Sequence, residues 1–237
     1  MEVLRTSDNR FVDLPGYDFT ANYVDDLQDY EGLRVHYLDQ GAEGANRIFL
    51  CLPGEPTWAY LYQILDKVAG EIQGACVPFY DNAGLSKGNH RFVFGDDGSL
   101  WVGQTHLSWA GGQGLQRIRW NGKTPLDVRS MELLPNGFKI TFTKSLEKST
   151  SIAEQFQFKR YYYEYRKAYG SPQYGIEKIK IIGSKRMNDN KTVMVYLDKV
   201  NPGFVYQLDI KKLIAKDKSA LVNPLVCYTL NRMPNGY

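Results

Sequence analysis

The stretch that most limits what this chain can become is residues 91–103, RFVFGDDGSLWVG. Phe92 and Phe94 alternate with their neighbours, Asp96-Asp97-Gly98-Ser99 interrupts the pattern, and Leu100 and Val102 resume it. Apolar spacing at period two on both sides of a Gly-containing turn predicts a β-hairpin: successive strand side chains face opposite ways, and Gly accepts the positive φ of a tight turn. Most of the chain after this hairpin repeats the pattern, with short apolar runs separated by Gly, Pro and Asn. The expectation is a mainly β protein.

Composition agrees, since 43% of the 237 residues are hydrophobic and 14% aromatic, with 17 Tyr, and such residues fit a pleated, half-buried surface. A net charge of +3 is far from the dense basic stripe of a nucleic-acid binder, so no nucleic-acid partner is expected. No apolar run approaches the roughly 18 residues of a membrane span, and MEVLRTSDNR has no apolar run of signal-peptide length. The expectation is a cytoplasmic chain with no membrane partner. Cys51, Cys76 and Cys227 are widely separated and odd in number, which fits neither a disulfide framework nor paired zinc spacing. They read as buried thiols.

Before residue 64 the pattern differs. Residues 33–38 read as a strand, 39–46 as a polar loop, and 47–52 as a continuous apolar run of the kind that fills a buried parallel strand. Pro53-Gly54-Glu55-Pro56-Thr57-Trp58 follows, and residues 59–68 then read as a helix. Strand, Gly-containing turn and helix in succession offer backbone amides to an anion.

The segments GYDFTANYVDDLQDYEGLRVHYLDQG and IFLCLPGEPTWAYLY resemble the N-terminal end of the haloalkane dehalogenases, enzymes of the α/β-hydrolase fold. The resemblance covers residues 1–63 and implies that the amide of Glu55 contributes to an oxyanion hole. Pro53 stands where that family has His. The family's nucleophilic Asp, on a strand-to-helix elbow, has no counterpart after Gln63, and His36, His90 and His106 lie in no matching context for its base. The parallel neighbours that would flank residues 48–52 are also absent. That run is expected to pair elsewhere or to remain poorly ordered.

Residues 64–123 resemble the last blade of the large β-propellers related to glucose and sorbosone dehydrogenases, through Asp-Asp-Gly-Ser-Leu-Trp-Val-Gly and the following GLQRIRWNG. One blade cannot close a propeller, which takes about four to eight, so the resemblance implies no cofactor. It does imply a periplasmic or secreted origin for this part of the chain.

From residue 124 onward, strands are predicted at 127–134, 138–143, 156–165, 178–184, 192–197, 204–213 and 225–230. Their number and turn spacing resemble a small immunoglobulin-like or fibronectin type III-like sandwich, and since the same sandwich follows the blade in the propeller proteins, that resemblance covers about residues 64–237. Val200-Asn201-Pro202-Gly203-Phe204-Val205-Tyr206 resembles the turn that leads into a tyrosine corner, which implies that the Tyr206 hydroxyl bonds back to upstream backbone.

Chemistry-bearing patterns are few. Gly84-Leu85-Ser86-Lys87-Gly88 satisfies G-x-S-x-G, but Asn89, His90 and a strand follow it where a nucleophile elbow needs a helix. It reads as a loop. His90 and His106, with Asp96 or Asp97, lack close ligand spacing, and no metal is expected. Residues 156–169, FQFKRYYYEYRKAY, would as a strand place Tyr161, Tyr163 and Tyr165 on one face and Phe156, Phe158 and Tyr162 on the other. Exposed Tyr beside Arg166 stacks on sugars or bases, whereas the alternative packs that face against a neighbouring domain. Asn190-Lys191-Thr192 fits a glycosylation sequon and marks a turn.

The fold expected is a partial propeller blade (64–123) plus an immunoglobulin-like or fibronectin III-like sandwich (124–237), preceded by an incomplete α/β-hydrolase-like segment (1–63). Three functions stay open. The first is a non-catalytic fusion or remnant carrying an interaction module. The second is a haloalkane dehalogenase, and the third is glycan or protein-surface binding through Tyr161, Tyr163, Tyr165 and Arg166.

Overall fold

The computed structural model describes residues 22–24, 35–37, 47–50, 60–79, 84–106, 112–148, 151–168 and 170–234. The chain divides into two compact units, Met1–Ala45 and Asn46–Tyr237. In the first, β1 (Asn22–Val24) pairs antiparallel with β2 (Val35–Tyr37).

The second unit opens with β3 (Arg47–Leu50), β4 (Tyr60–Val68) and β5 (Glu71–Phe79). Two expectations are corrected here. Residues 60–68 form a strand, not a helix, because Ala69 and Gly70 adopt φ of 50° and 87° and reverse the chain, so that Tyr60↔Phe79 through Val68↔Glu71 pair along the full length. Ile64 and Val68, four apart, share a helix face and equally share a strand face, so local spacing left the choice to long-range pairing. Of the run 47–52, the described residues 47–50 are likewise no parallel strand: β3 pairs antiparallel with β4, from Arg47↔Ile64 to Leu50↔Leu61.

The hairpin predicted at residues 91–103 is present as β6 (Asn89–Phe94) and β7 (Leu100–Gln104). Its turn is closed by the Gly95 N–H donating to the Ser99 carbonyl at 2.8 Å, and Gly98 supplies the positive φ of 74°. Strand β8 (Gly114–Ile118) completes a three-stranded sheet.

Downstream come β9 (Val128–Leu134), β10 (Gly137–Phe142), the short helix α1 (Ile152–Gln155) and β11 (Phe156–Tyr162). They are followed by β12 (Tyr174–Ile179), β13 (Ile181–Arg186), β14 (Thr192–Leu197), β15 (Phe204–Ile210) and β16 (Leu225–Leu230). Where one strand was expected at 178–184, the chain changes sheets at Lys180, whose N–H donates to Asp198 Oδ1 at 3.0 Å. The protein is mainly β, as the alternation predicts.

Strands β12-β11-β15-β16-β5-β4-β3 form a seven-stranded sheet and β13-β14-β10-β9 a four-stranded one. Both contribute to one core. Phe138, Ile140, Phe142 and Val195 enter it from the smaller sheet, and Ile64, Ala75, Phe158, Tyr206, Leu208 and Tyr228 from the larger. Phe138 lies at its centre, stacked on Phe158 at 5.8 Å and tilted against Tyr206 at 5.7 Å and Tyr228 at 5.0 Å. Offset and tilted rings at such separations add to the stabilisation that burial alone supplies.

Candidate functional site

Strand β11 lies between β12 and β15, and its period-two alternation sends Phe156 and Phe158 into the core. Tyr161, on the other face, is 3% exposed yet lies outside that core. Tyr163 meets its ring edge-on at 5.4 Å, and the Lys159 ammonium sits 5.9 Å from its centroid. Its hydroxyl donates to Cys227 Sγ at 3.9 Å. Burial, reinforced by the neighbouring Cys227, pushes the Tyr161 phenol well above its ordinary range.

Beyond Tyr162 the strand ends, three residues before the end expected from the aromatic run. Tyr163 is 54% exposed and Tyr165 98% exposed. The turn that carries them is held by the Glu164 N–H donating to Ser171 Oγ at 3.0 Å, and Arg166 donates to the Tyr174 hydroxyl at 3.0 Å. Tyr161 and Tyr163 are thus in direct contact, with Tyr161 covered, and Tyr165 and Arg166 occupy the segment that leaves the sheet.

On the other face, Tyr162 stacks on Tyr174 at 5.9 Å and meets Phe204 edge-on at 5.9 Å. The Arg160 guanidinium lies 4.2 Å from the Phe204 ring and 2.8 Å from Glu177 Oε2, while Lys199 approaches Glu177 Oε1 at 2.5 Å. The Lys199 hydrogen bond, then Arg160, holds the Glu177 carboxyl below its usual range. Tyr174 is a member of this aromatic cluster that sequence reasoning did not single out, because the contact depends on the β11–β12 register, Tyr162↔Tyr174.

The remaining candidates are placed as follows. Glu55 and Cys51 lie outside the described residues. In the G-x-S-x-G loop, the Ser86 N–H donates to Gln116 Oε1 at 2.6 Å and the Asn89 side chain donates to the Ser86 carbonyl at 2.7 Å. Strand β6 follows directly, so the strand-loop-helix context of a nucleophile elbow is missing there. Asp97 accepts from the Ser99 hydroxyl at 2.6 Å, from the Ser99 N–H at 3.1 Å and from Arg117. These bonds, those from Ser99 foremost, hold its carboxyl down at about 2. Among the described residues no three His, Cys, Asp or Glu side chains gather to hold a metal, and no helix is long and apolar enough to cross a membrane. Asn190 of the sequon has φ 52° and its N–H donates to the Met187 carbonyl at 3.0 Å, in a turn.

Two further arrangements were invisible in the sequence. Asp66 Oδ2 accepts from the Tyr228 hydroxyl at 2.6 Å and from the Leu133 N–H at 2.6 Å, and Gln73 donates to the same hydroxyl at 2.9 Å. Burial first, and then the Asp66 carboxylate, drives the Tyr228 phenol far above its ordinary range. In the same sheet Cys76 and Cys227 stand directly opposite each other on β5 and β16.

No protein-family model matches the chain. A haloalkane dehalogenase of Psychrobacter cryohalolentis is 54% identical over 65 residues, which are 27% of this chain and 21% of that protein. Haloalkane dehalogenases of Mycobacterium marinum and Mycolicibacterium paratuberculosis are each 50% identical over 66 residues, 22% of their length. Among solved structures, the crystal structure of the S-layer protein rSbsC(31-844) aligns with 46% of this chain and 14% of its own, at a TM-score of 0.35 and 19% identity. The chain thus spans about a fifth of the length of the curated relatives it matches, and a short segment of it is similar to haloalkane dehalogenases.

Proposed function

We propose that this protein is a non-catalytic interaction module, a β-sandwich of immunoglobulin or fibronectin III type (124–237) preceded by a blade-like hairpin region (64–123) and a fused hydrolase-like segment (1–63), and that it binds glycans through Tyr163 and Tyr165. The single observation that carries the reading is the 98% exposure of Tyr165 beside the half-exposed Tyr163. Aromatic rings left in water offer flat apolar faces of the kind that pyranose rings cover, and Arg166 adds donors at the rim. Tyr161 supports Tyr163 from beneath. The sandwich assignment draws support from the two sheets' common core, to which β4 and β5 of the preceding region also contribute, and from Tyr206, whose hydroxyl accepts the Asn201 N–H at 2.8 Å, as a tyrosine corner would.

Affinity electrophoresis through gels containing soluble β-glucan, xylan or galactomannan tests the binding. At least one polysaccharide should retard the protein, and Tyr165→Ala should weaken that retardation by about tenfold, the scale of one lost aromatic stack. Equal mobility of the parent and Tyr165→Ala in every gel would remove the proposal.

The second reading, carbon-halogen hydrolysis, is favoured by the roughly 50% identity of the short segment to haloalkane dehalogenases. Displacement of halide needs a positioned carboxylate and a base that hydrolyses the resulting ester, and the sequence after Gln63 offers neither in the family's pattern. Halide release from a short haloalkane should stay at background. Turnover abolished by changing one Asp or Glu would establish the hydrolase instead.

A further inference from the structure

We infer that Cys76 and Cys227 are a cross-strand dithiol that closes to an intrasheet disulfide by exchange with a low-molecular-weight disulfide. The two residues are Cα partners in the antiparallel pairing of β5 with β16, forming its end rung next to Ala75↔Tyr228 and then Gly74↔Thr229. Directly opposed residues of an antiparallel pair have Cα atoms about 4.5 to 5.5 Å apart and side chains on the same face, within the roughly 4.4 to 6.8 Å that a disulfide spans.

Ala75 and Tyr228, the adjoining pair, point into the shared core. Cys76 and Cys227 therefore point to the opposite face, where both are half-buried and neither belongs to that core. Burial pushes both thiols above their ordinary range, and a charge on Cys76 would push Cys227 further. A pair of thiols that packs no core and meets across one rung of a ladder has the geometry for oxidation without moving either strand far.

In the first step one cysteine, having released its proton to solvent, attacks a sulfur of the small disulfide. That S–S bond breaks, and one small thiolate leaves and takes up a proton. In the second step the other cysteine, likewise deprotonated, attacks the protein sulfur of the mixed disulfide and expels the second small thiolate. Two protein thiols have then lost two electrons and two protons, and one small disulfide has become two thiols. The product ties β16 to β5 across a loop of about 150 residues, long enough for the cross-link to restrict the unfolded chain substantially.

The test is incubation of the native full chain with oxidised glutathione, followed by non-reducing digestion and mass spectrometry. The expected product is about 2 Da lighter than the reduced protein, contains a Cys76–Cys227 linked peptide, and melts on the order of 5 to 10 °C higher. Cys51→Ser should leave that product unchanged, whereas Cys76→Ser should replace it with a single glutathione adduct on Cys227. Separate glutathione adducts on Cys76 and Cys227 of the parent protein, a bond that includes Cys51, or no reaction at thiols that alkylate readily would each overturn the inference.

Discussion

The Tyr228 hydroxyl donates to the Asp66 carboxylate at 2.6 Å, joining β16, the central strand of the seven-stranded sheet, to β4, two strands away. Asp66 also accepts the Leu133 N–H from the four-stranded sheet. One carboxylate therefore links both sheets, and Gln73 continues the network by accepting the Asn231 and Arg232 N–H groups at 2.9 and 2.8 Å.

Tyr228→Phe should destabilise the protein by about 2 kcal/mol, the usual worth of a hydrogen bond to a charged acceptor. Urea titration should show a lower midpoint with an unchanged slope. An unchanged midpoint would mean that water replaces the tyrosine at no cost.

For Tyr206→Phe the expected loss is smaller, about 1 kcal/mol. The Tyr206 ring is fully buried, but its hydroxyl serves Asn201, an exposed residue whose N–H can turn to water. Chemical denaturation measures the difference, and a loss as large as that of Tyr228→Phe would refute this ordering.

The fragment 124–237 should unfold cooperatively, with a stability at least about 3 kcal/mol below that of the whole chain. Strands β4 and β5 supply Ile64, Val68, Ala75 and Val77 to the core, and each large apolar side chain removed from water contributes roughly 1.5 to 3 kcal/mol. A non-cooperative melt would show that residues 60–79 are part of the domain itself.

Asp97 makes stability at the hairpin turn depend on acid. Its carboxyl is held down from 3.8 to about 2, so the folded state favours the charged form. The resulting stabilisation is complete above about pH 4 and is lost as pH falls toward 2. Thermal melts of the parent and Asp97→Asn should differ at pH 7 and converge near pH 2; a constant gap across that window would contradict the assignment.

Gly137→Ala should be strongly destabilising, because an added Cβ would lie 1.9 Å from the Val195 carbonyl oxygen on the paired strand. Relief requires separating β10 from β14 at Gly137↔Tyr196, the first rung of their pairing, a cost on the order of 3 kcal/mol. A thermal shift of less than about 2 °C would show that the strands part easily.

How much of this was legible beforehand follows from the range of the forces involved. Turn chemistry and period-two alternation are local, so they determined the hairpin at 91–103 and the strands at 192–197 and 225–230, the last two at their observed limits. The resemblance of the Val-Asn-Pro-Gly-Phe-Val-Tyr stretch to a tyrosine corner implied the Tyr206 bond. Tertiary structure alone decided that residues 60–68 extend, because Ile64 and Val68 satisfy either periodicity and only pairing with β5 selects one. It also decided that the run at 47–50 would find an antiparallel partner, that Tyr163 and Tyr165 would leave the sheet, and that Cys76 would face Cys227. Sheet register joins residues far apart in sequence, and no local pattern encodes which strand will be the neighbour.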